Sequence, residues 1–200
     1  MYEEMPGGQG HAGADSPYID LKEPIALIQG LEQRGCDFFG ETIGNASIYW
    51  ENMAPDRSCA VNVYKHASMA KRMKEHLKPE TIVIGAGMSV LGDGTENGLR
   101  GIEAEKSSLP AFGSSCIQDG GMDLIGLGRQ SLADPELPIK LRDGKMEEIH
   151  WCRTCNLCSE LEMRQQSIGC PVYQETYRAL LQKVRQEYGK PERIITGDGE

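Results

Sequence analysis

Apolar positions along the chain fall into short runs of two kinds, one spaced for helix and one for strand. The first twenty residues are rich in Gly, Pro and Asp, show no periodicity and read as a loop. Leu21, Ile25, Leu27, Ile28 and Leu31 then recur at mostly helical spacing between Asp20, a helix-starting residue type, and Gly35, a stop. They predict a helix over residues 21–34, with Pro24 in the first turn, where a missing N–H matters little. Residues 36–43 (CDFFGETI) are β-prone and end at Gly44-Asn45. A loop-like stretch with Tyr49 and Trp50 follows. Val63, Ala67, Ala70, Met73 and Leu77 form one stripe of a second helix over residues 61–77. Residues 81–84 are a continuous apolar run, suited to a strand buried on both faces. Residues 89–121 are punctuated by glycine and only weakly patterned, and residues 122–127 (MDLIGL) predict a third strand. Gly128-Arg129 and Asp134-Pro135 each open a short helical segment, the second running towards Asp143. Residues 173–188 close the pattern as an amphipathic helix carrying Leu180, Leu181 and Val184.

Strands alternating with crossover-length helical segments imply parallel βα units, so the fold class is α/β. Three such strands look alike in a doubly wound sheet and in a barrel. Charge narrows the partners. Lys plus Arg is 21 and Asp plus Glu is 30, giving a net charge of −9. So acidic a chain lacks the basic face that nucleic acid requires, and no nucleic-acid partner is expected. No run approaches the roughly 18 apolar residues of a membrane span, so no membrane partner is expected. The opening MYEEMPGGQG has no basic stretch followed by an apolar one, unlike a signal peptide, and the expected location is the cytoplasm.

The cysteines change the picture most. Of seven, Cys36, Cys59 and Cys116 are scattered and read as small core residues. Cys152, Cys155, Cys158 and Cys170 form the pattern C-x2-C-x2-C-x11-C-P. Three thiols two residues apart can converge on one small centre, and a fourth from a separate turn can complete it. The triplet and the Cys-Pro at the fourth position echo the iron–sulfur run of bacterial ferredoxins. Zinc more often takes two separated C-x2-C pairs, and disulfides are rare in a reducing compartment. The spacing therefore favours a [4Fe–4S] cluster over zinc or incidental thiols.

Glycines after the second and third strands mark a second candidate site. Gly85-Ala86-Gly87-Met88 and Gly126-Leu127-Gly128-Arg129 each follow a buried run. Glycine lets a ligand approach the backbone, and free N–H groups at a helix start can hold phosphate. Arg129 adds a charge-assisted contact. Either turn alone is a weak signal, because glycine is common at such junctions for steric reasons. Of the four histidines, His66 and His76 fall on the second helix and are expected at the surface, while His150 precedes the cysteines and is a candidate neighbour of that centre.

The run from Asp123 to Pro135 (DLIGLGRQSLADP), followed by Glu148-Ile149-His150-Trp151 and the cysteines, resembles the old yellow enzyme family. It is most similar to the iron–sulfur branch that includes 2,4-dienoyl-CoA reductase, trimethylamine dehydrogenase and related NADH:flavin oxidoreductases. The resemblance implies the C-terminal part of an FMN-binding (β/α)8 TIM barrel, about strands six to eight with their helices, over residues 1–145. It implies a [4Fe–4S]-binding segment and closing helix over residues 146–200. Ala86, Gly87 and Met88 would approach the FMN phosphate from one side, and Gly128 and Arg129 from the other. Cys152, Cys155, Cys158 and Cys170 would hold the cluster, and NAD(P)H would supply electrons for reducing an activated C=C of an enoyl or enone substrate. A whole barrel of this kind takes roughly 250 residues, so the resemblance also implies a missing N-terminal barrel half as partner, or a catalytically incomplete fragment or split subunit. A zinc-binding interaction module is the remaining alternative. Relatives of the dienoyl reductase type carry a catalytic histidine in a Gly-Ile-Gly-x-His setting. Here residues 42–47 read Thr-Ile-Gly-Asn-Ala-Ser, and the catalytic acid is unassigned.

Overall fold

A computed structural model describes residues 20–42, 60–92 and 108–190. In chain order these form α1 (Lys22–Glu32), β1 (Phe38–Gly40), α2 (Ala60–Glu75), β2 (Ile82–Gly85), α3 (Leu109–Gln118) and β3 (Leu124–Ile125). There follow α4 (Arg129–Ala133), α5 (Leu137–Arg142), a 3-10 turn (Met146–Glu148), α6 (Leu157–Met163) and α7 (Glu175–Tyr188). The opening loop with His11, the stretch with Tyr49, Trp50 and Cys59, and the middle of the weakly patterned 89–121 stretch lie outside the described residues.

The three strands make one parallel sheet in the order β1-β2-β3. Phe38 pairs with Ile82 and Gly40 with Ile84, and on the other side Ile84 pairs with Leu124. β1 and β3 are shorter than their β-prone runs and β2 is shifted by one residue, with side chains taking over at the ends. The Asp123 carboxylate accepts the Val83 amide at 2.7 Å before β3 begins. Lys74 fixes that carboxylate at 2.8 Å and also donates to the Thr81 carbonyl at 2.7 Å.

Paired residues share a face, so the register sorts the sheet into two sides. Phe39, Val83 and Gly85 point to the helix-covered side and are buried. Phe38, Ile82 and Leu124 point to the other, where they are 60%, 41% and 52% exposed. The main core lies between the covered face and the helices. It joins Val63, Ala70, Val83, Met88, Val90, Leu109 and Met122 to Leu137 and Ile149 further along the chain. The stripe read on α2 is its helical wall, with Ala67, Met73 and Leu77 packed at the edge. A second, smaller cluster of Leu161, Leu181 and Val184 joins α6 to α7.

Two differences from the sequence reading, and one helix whose pattern there is weak, have physical causes. Asp20 stands one residue too early to cap α1, yet its carboxylate still accepts the Lys22 amide at 3.0 Å. The weakly patterned stretch does form a helix, α3, because Ser108 accepts the Ala111 amide and Pro110 sits in the first turn. The cysteine segment contains α6, which no long apolar period announced because it has only seven residues. Among the described residues no helix is long and apolar enough to cross a membrane.

Candidate cofactor site

The two glycine turns leave the sheet at the same end and meet. The Gly126 amide donates to the Gly85 carbonyl at 2.7 Å, and the Gln130 amide to Ser89 Oγ at 3.3 Å. The turn with Ala86, Gly87 and Met88 thus adjoins the one with Gly128 and Arg129. Among the described residues, the amides of Gly87, Met88 and Gly128 donate to no acceptor, which suits an anion cradle. The Ala86 amide is already committed to Glu41 Oε2, at 3.3 Å.

That carboxylate belongs to a pair invisible in the chain pattern. Glu41 follows β1, and its two oxygens lie 3.0 and 2.9 Å from Nδ1 of His66 on α2, with both side chains 1% exposed. The expectation of a surface histidine therefore fails for His66. Its helix face turns into the sheet end, and the ring is buried against the turn after β2. Gly87 has φ +79°, and a Cβ there would collide with the His66 ring, so this turn needs glycine for both conformation and room. His76 is exposed, as expected, with Nδ1 on the Arg72 carbonyl at 2.7 Å.

From the β3 turn the chain enters α4, which holds the cysteine loop. Gln130 is fully buried. Its Oε1 accepts the Cys152 amide at 2.7 Å, and its Nε2 donates to the His150 carbonyl at 3.0 Å. Arg129 Nη1 donates to Asn156 Oδ1 at 2.8 Å. Asn156 is buried, with φ 56°, and heads α6 between Cys155 and Cys158. Asp134 fixes the approach to the loop: its Oδ2 accepts the His150 amide at 2.9 Å and Lys140 Nζ at 2.7 Å. Burial alone would raise the Asp134 carboxyl, but Lys140 and the amides of His150 and Glu136 outweigh it and hold it below its ordinary value.

The segment carrying Cys170 is tied to the same place. Tyr173 donates to the Trp151 carbonyl at 2.8 Å, and Gln174 donates to the Leu132 carbonyl while accepting the Cys170 amide. The His150 ring stacks on Tyr173, with centroids 4.6 Å apart.

Cys152 and Cys158 lie within electrostatic reach of Arg129, and Cys155 within reach of both of those thiols. Burial pushes the Cys152 thiol up to about 11, opposed by the Arg129 charge and the Thr154 amide. Burial also raises Cys158, again opposed by Arg129. Among the described residues no three His, Cys, Asp or Glu side chains are gathered tightly enough to hold a single metal ion. The donor set is nonetheless soft and all-thiol, a set that suits an iron–sulfur cluster or zinc, with donors coming from one loop and a neighbouring turn pinned to it. Of the remaining cysteines, Cys116 packs against the main core and Cys36 is half-buried, its thiol 3.3 Å from the Phe38 carbonyl.

Glu41, Gln130 and Asn156 were not singled out from the sequence. Gln130 lies inside the DLIGLGRQSLADP run, so that run carried the signal. Glu41 and Asn156 had none, since a polar residue after a strand or in a loop is unremarkable until its partner is known.

No family model matches the chain. Stretches of it are similar to parts of longer proteins. One is a metal reductase of Desulforamulus reducens, 35% identical over 78 residues, which is 38% of this chain and 12% of that protein. Another is an NADH oxidase of Thermoanaerobacter brockii, 40% identical over 48 residues, covering 24% and 7%. A third is a dimethylamine dehydrogenase of Hyphomicrobium, 45% identical over 42 residues, covering 21% and 6%. All three are named as oxidoreductases, and the chain matches only about an eighth or less of their lengths.

Proposed function

We propose that this chain is the C-terminal barrel part and cluster-binding segment of an FMN- and iron–sulfur-dependent NAD(P)H:flavin oxidoreductase of the ene-reductase type, acting on an activated C=C of an enoyl or enone. The observation that carries the reading is the junction at α4. One short helix adjoins the glycine turns through Gln130 N and holds the cysteine loop through the Gln130 and Arg129 side chains. A flavin phosphate and a redox cluster would thereby be held on one rigid support.

Bound flavin and cluster would supply hydride and single-electron transfer, chemistry that belongs to the cofactors. The chain's own work is to place them. The amides of Gly87, Met88 and Gly128 offer donors to a phosphate, with Ala86 lining the same turn. Arg129 adds positive charge at that junction, and the Glu41–His66 pair holds the turn from beneath. Cys152, Cys155, Cys158 and Cys170 supply the thiolates. Substrate choice would fall to a partner, the N-terminal barrel half, and the catalytic acid is unassigned.

One observation favours a second reading, an incomplete fragment or split subunit without activity of its own. Among the described residues the sheet has two open edges, and Phe38, Ile82 and Leu124 on one face are largely exposed, where parallel sheets are normally covered on both sides.

Anaerobic purification with metal and sulfide analysis, and a flavin absorbance scan, test both readings. Iron and acid-labile sulfide near four each per chain are expected, with little flavin retained by the chain alone. About one zinc without iron or sulfide would instead select the zinc module. Stoichiometric FMN on this chain alone would contradict the need for a partner half.

A further inference from the structure

Two consecutive side chains of α4 grip the two ends of the C-x2-C-x2-C run. Gln130 holds the Cys152 end through its amide. Arg129 holds the other end through Asn156, a buried residue in a left-handed conformation between Cys155 and Cys158. The Arg129 guanidinium is always charged, half-buried, and held within electrostatic reach of the half-buried Cys152 and Cys158 thiols. A charge fixed beside a partly dehydrated centre acts on it more strongly than one in solvent.

We propose that Arg129 is the positioning and charge-setting residue of the cysteine centre. Its bond to Asn156 fixes the loop between Cys155 and Cys158, and its charge raises the reduction potential of a cluster held there. The inference rests on the iron–sulfur reading of Cys152, Cys155, Cys158 and Cys170. It also goes beyond the phosphate contact that the glycine turn suggests for this residue. The physical reason is the sign of the reaction: one-electron reduction adds a negative charge to the centre, so a neighbouring cation stabilises the reduced form. Net charge and hydrogen bonding around the sulfurs are among the terms that set such potentials. Arg129 touches the loop rather than a reacting atom, so it is not a catalytic residue.

The test uses the full chain, reconstituted anaerobically with iron and sulfide and titrated with dithionite while the reduced cluster is followed by electron paramagnetic resonance. Wild type, Arg129→Gln and Arg129→Lys are compared. The glutamine variant is expected to hold the cluster but require a more negative potential for half-reduction, so that it is mostly oxidised where wild type is half reduced. The lysine variant, which keeps the charge, is expected to titrate close to wild type. A purely structural role would alter unfolding without moving the potential. A loaded glutamine variant with the wild-type potential therefore overturns the proposal. Should the glutamine variant not load, the lysine variant decides: loading at the wild-type potential supports the charge role, and failure to load overturns it. Wild type that takes up no iron removes the iron–sulfur reading itself, an outcome distinct from a loaded protein indifferent to Arg129.

Discussion

Replacing Gln130 by methionine removes the support of the cysteine loop while keeping nearly the same volume in a fully buried position. Two hydrogen bonds disappear at once: the one accepted from the Cys152 amide at 2.7 Å and the one donated to the His150 carbonyl at 3.0 Å. Each backbone group left without a partner in a buried setting costs about 1–3 kcal/mol. Both bonds are only partly buried, so water can replace some of the loss, and a near-isosteric swap adds little cavity cost. The net expectation is about 2–4 kcal/mol, a large share of the ~5–15 kcal/mol that holds a domain together. Urea unfolding of the full chain measures the total. Amide hydrogen exchange locates it, with faster exchange expected at Cys152 and little change on β2. A loss below about 0.5 kcal/mol, the range of ordinary surface substitutions, together with unchanged exchange at Cys152, would show that Gln130 does not hold the loop.

Two further outcomes follow from the same region. The Asp134 carboxyl is held below its ordinary value, so its contribution is fully present above the normal carboxylate range and is lost as pH falls through the lowered folded value. Urea midpoints measured from neutral pH down to about pH 2.5 should fall along that limb in wild type, and Asp134→Asn should be weaker at neutral pH with a flatter acid limb; parallel profiles would refute the assignment. Gly87→Ala places a Cβ against the His66 ring at a residue with φ +79°, and a loss of about 1–3 kcal/mol is expected. An unchanged melting temperature in that variant would mean that the turn is not fixed as described.

The fold was largely readable because its elements follow strong local rules. The Val63–Ala67–Ala70–Met73–Leu77 stripe could belong only to a helix with one buried side, and it is the wall of the main core. The run at residues 81–84 had no polar interruption, and it became the central strand. What local pattern does not carry is which face of each strand is covered. Phe38 and Phe39 are equally apolar in sequence, but one is 60% exposed and the other 8%. That difference is set by register against Ile82 and Val83, a relation between segments more than forty residues apart.

The site divides along the same line. Cysteines at fixed short intervals and glycines after apolar runs are local signals, and they located the loop and the turns. The groups that join them are polar side chains whose meaning lies in a distant partner. His66 illustrates the difference. On α2 it follows Lys65 and precedes Ala67 and Ser68, a setting that reads as helix surface. Burial of an imidazole is tolerable only with a hydrogen-bonding partner, and that partner, Glu41, comes just after β1. The same pairing takes the Ala86 amide and leaves no room for a side chain at Gly87. A glycine that sequence reasoning assigned to ligand approach is thus also required by a neighbour inside the protein. The feature that favours an anion is therefore not the glycine itself but the amides of Gly87, Met88 and Gly128, which donate to no acceptor among the described residues.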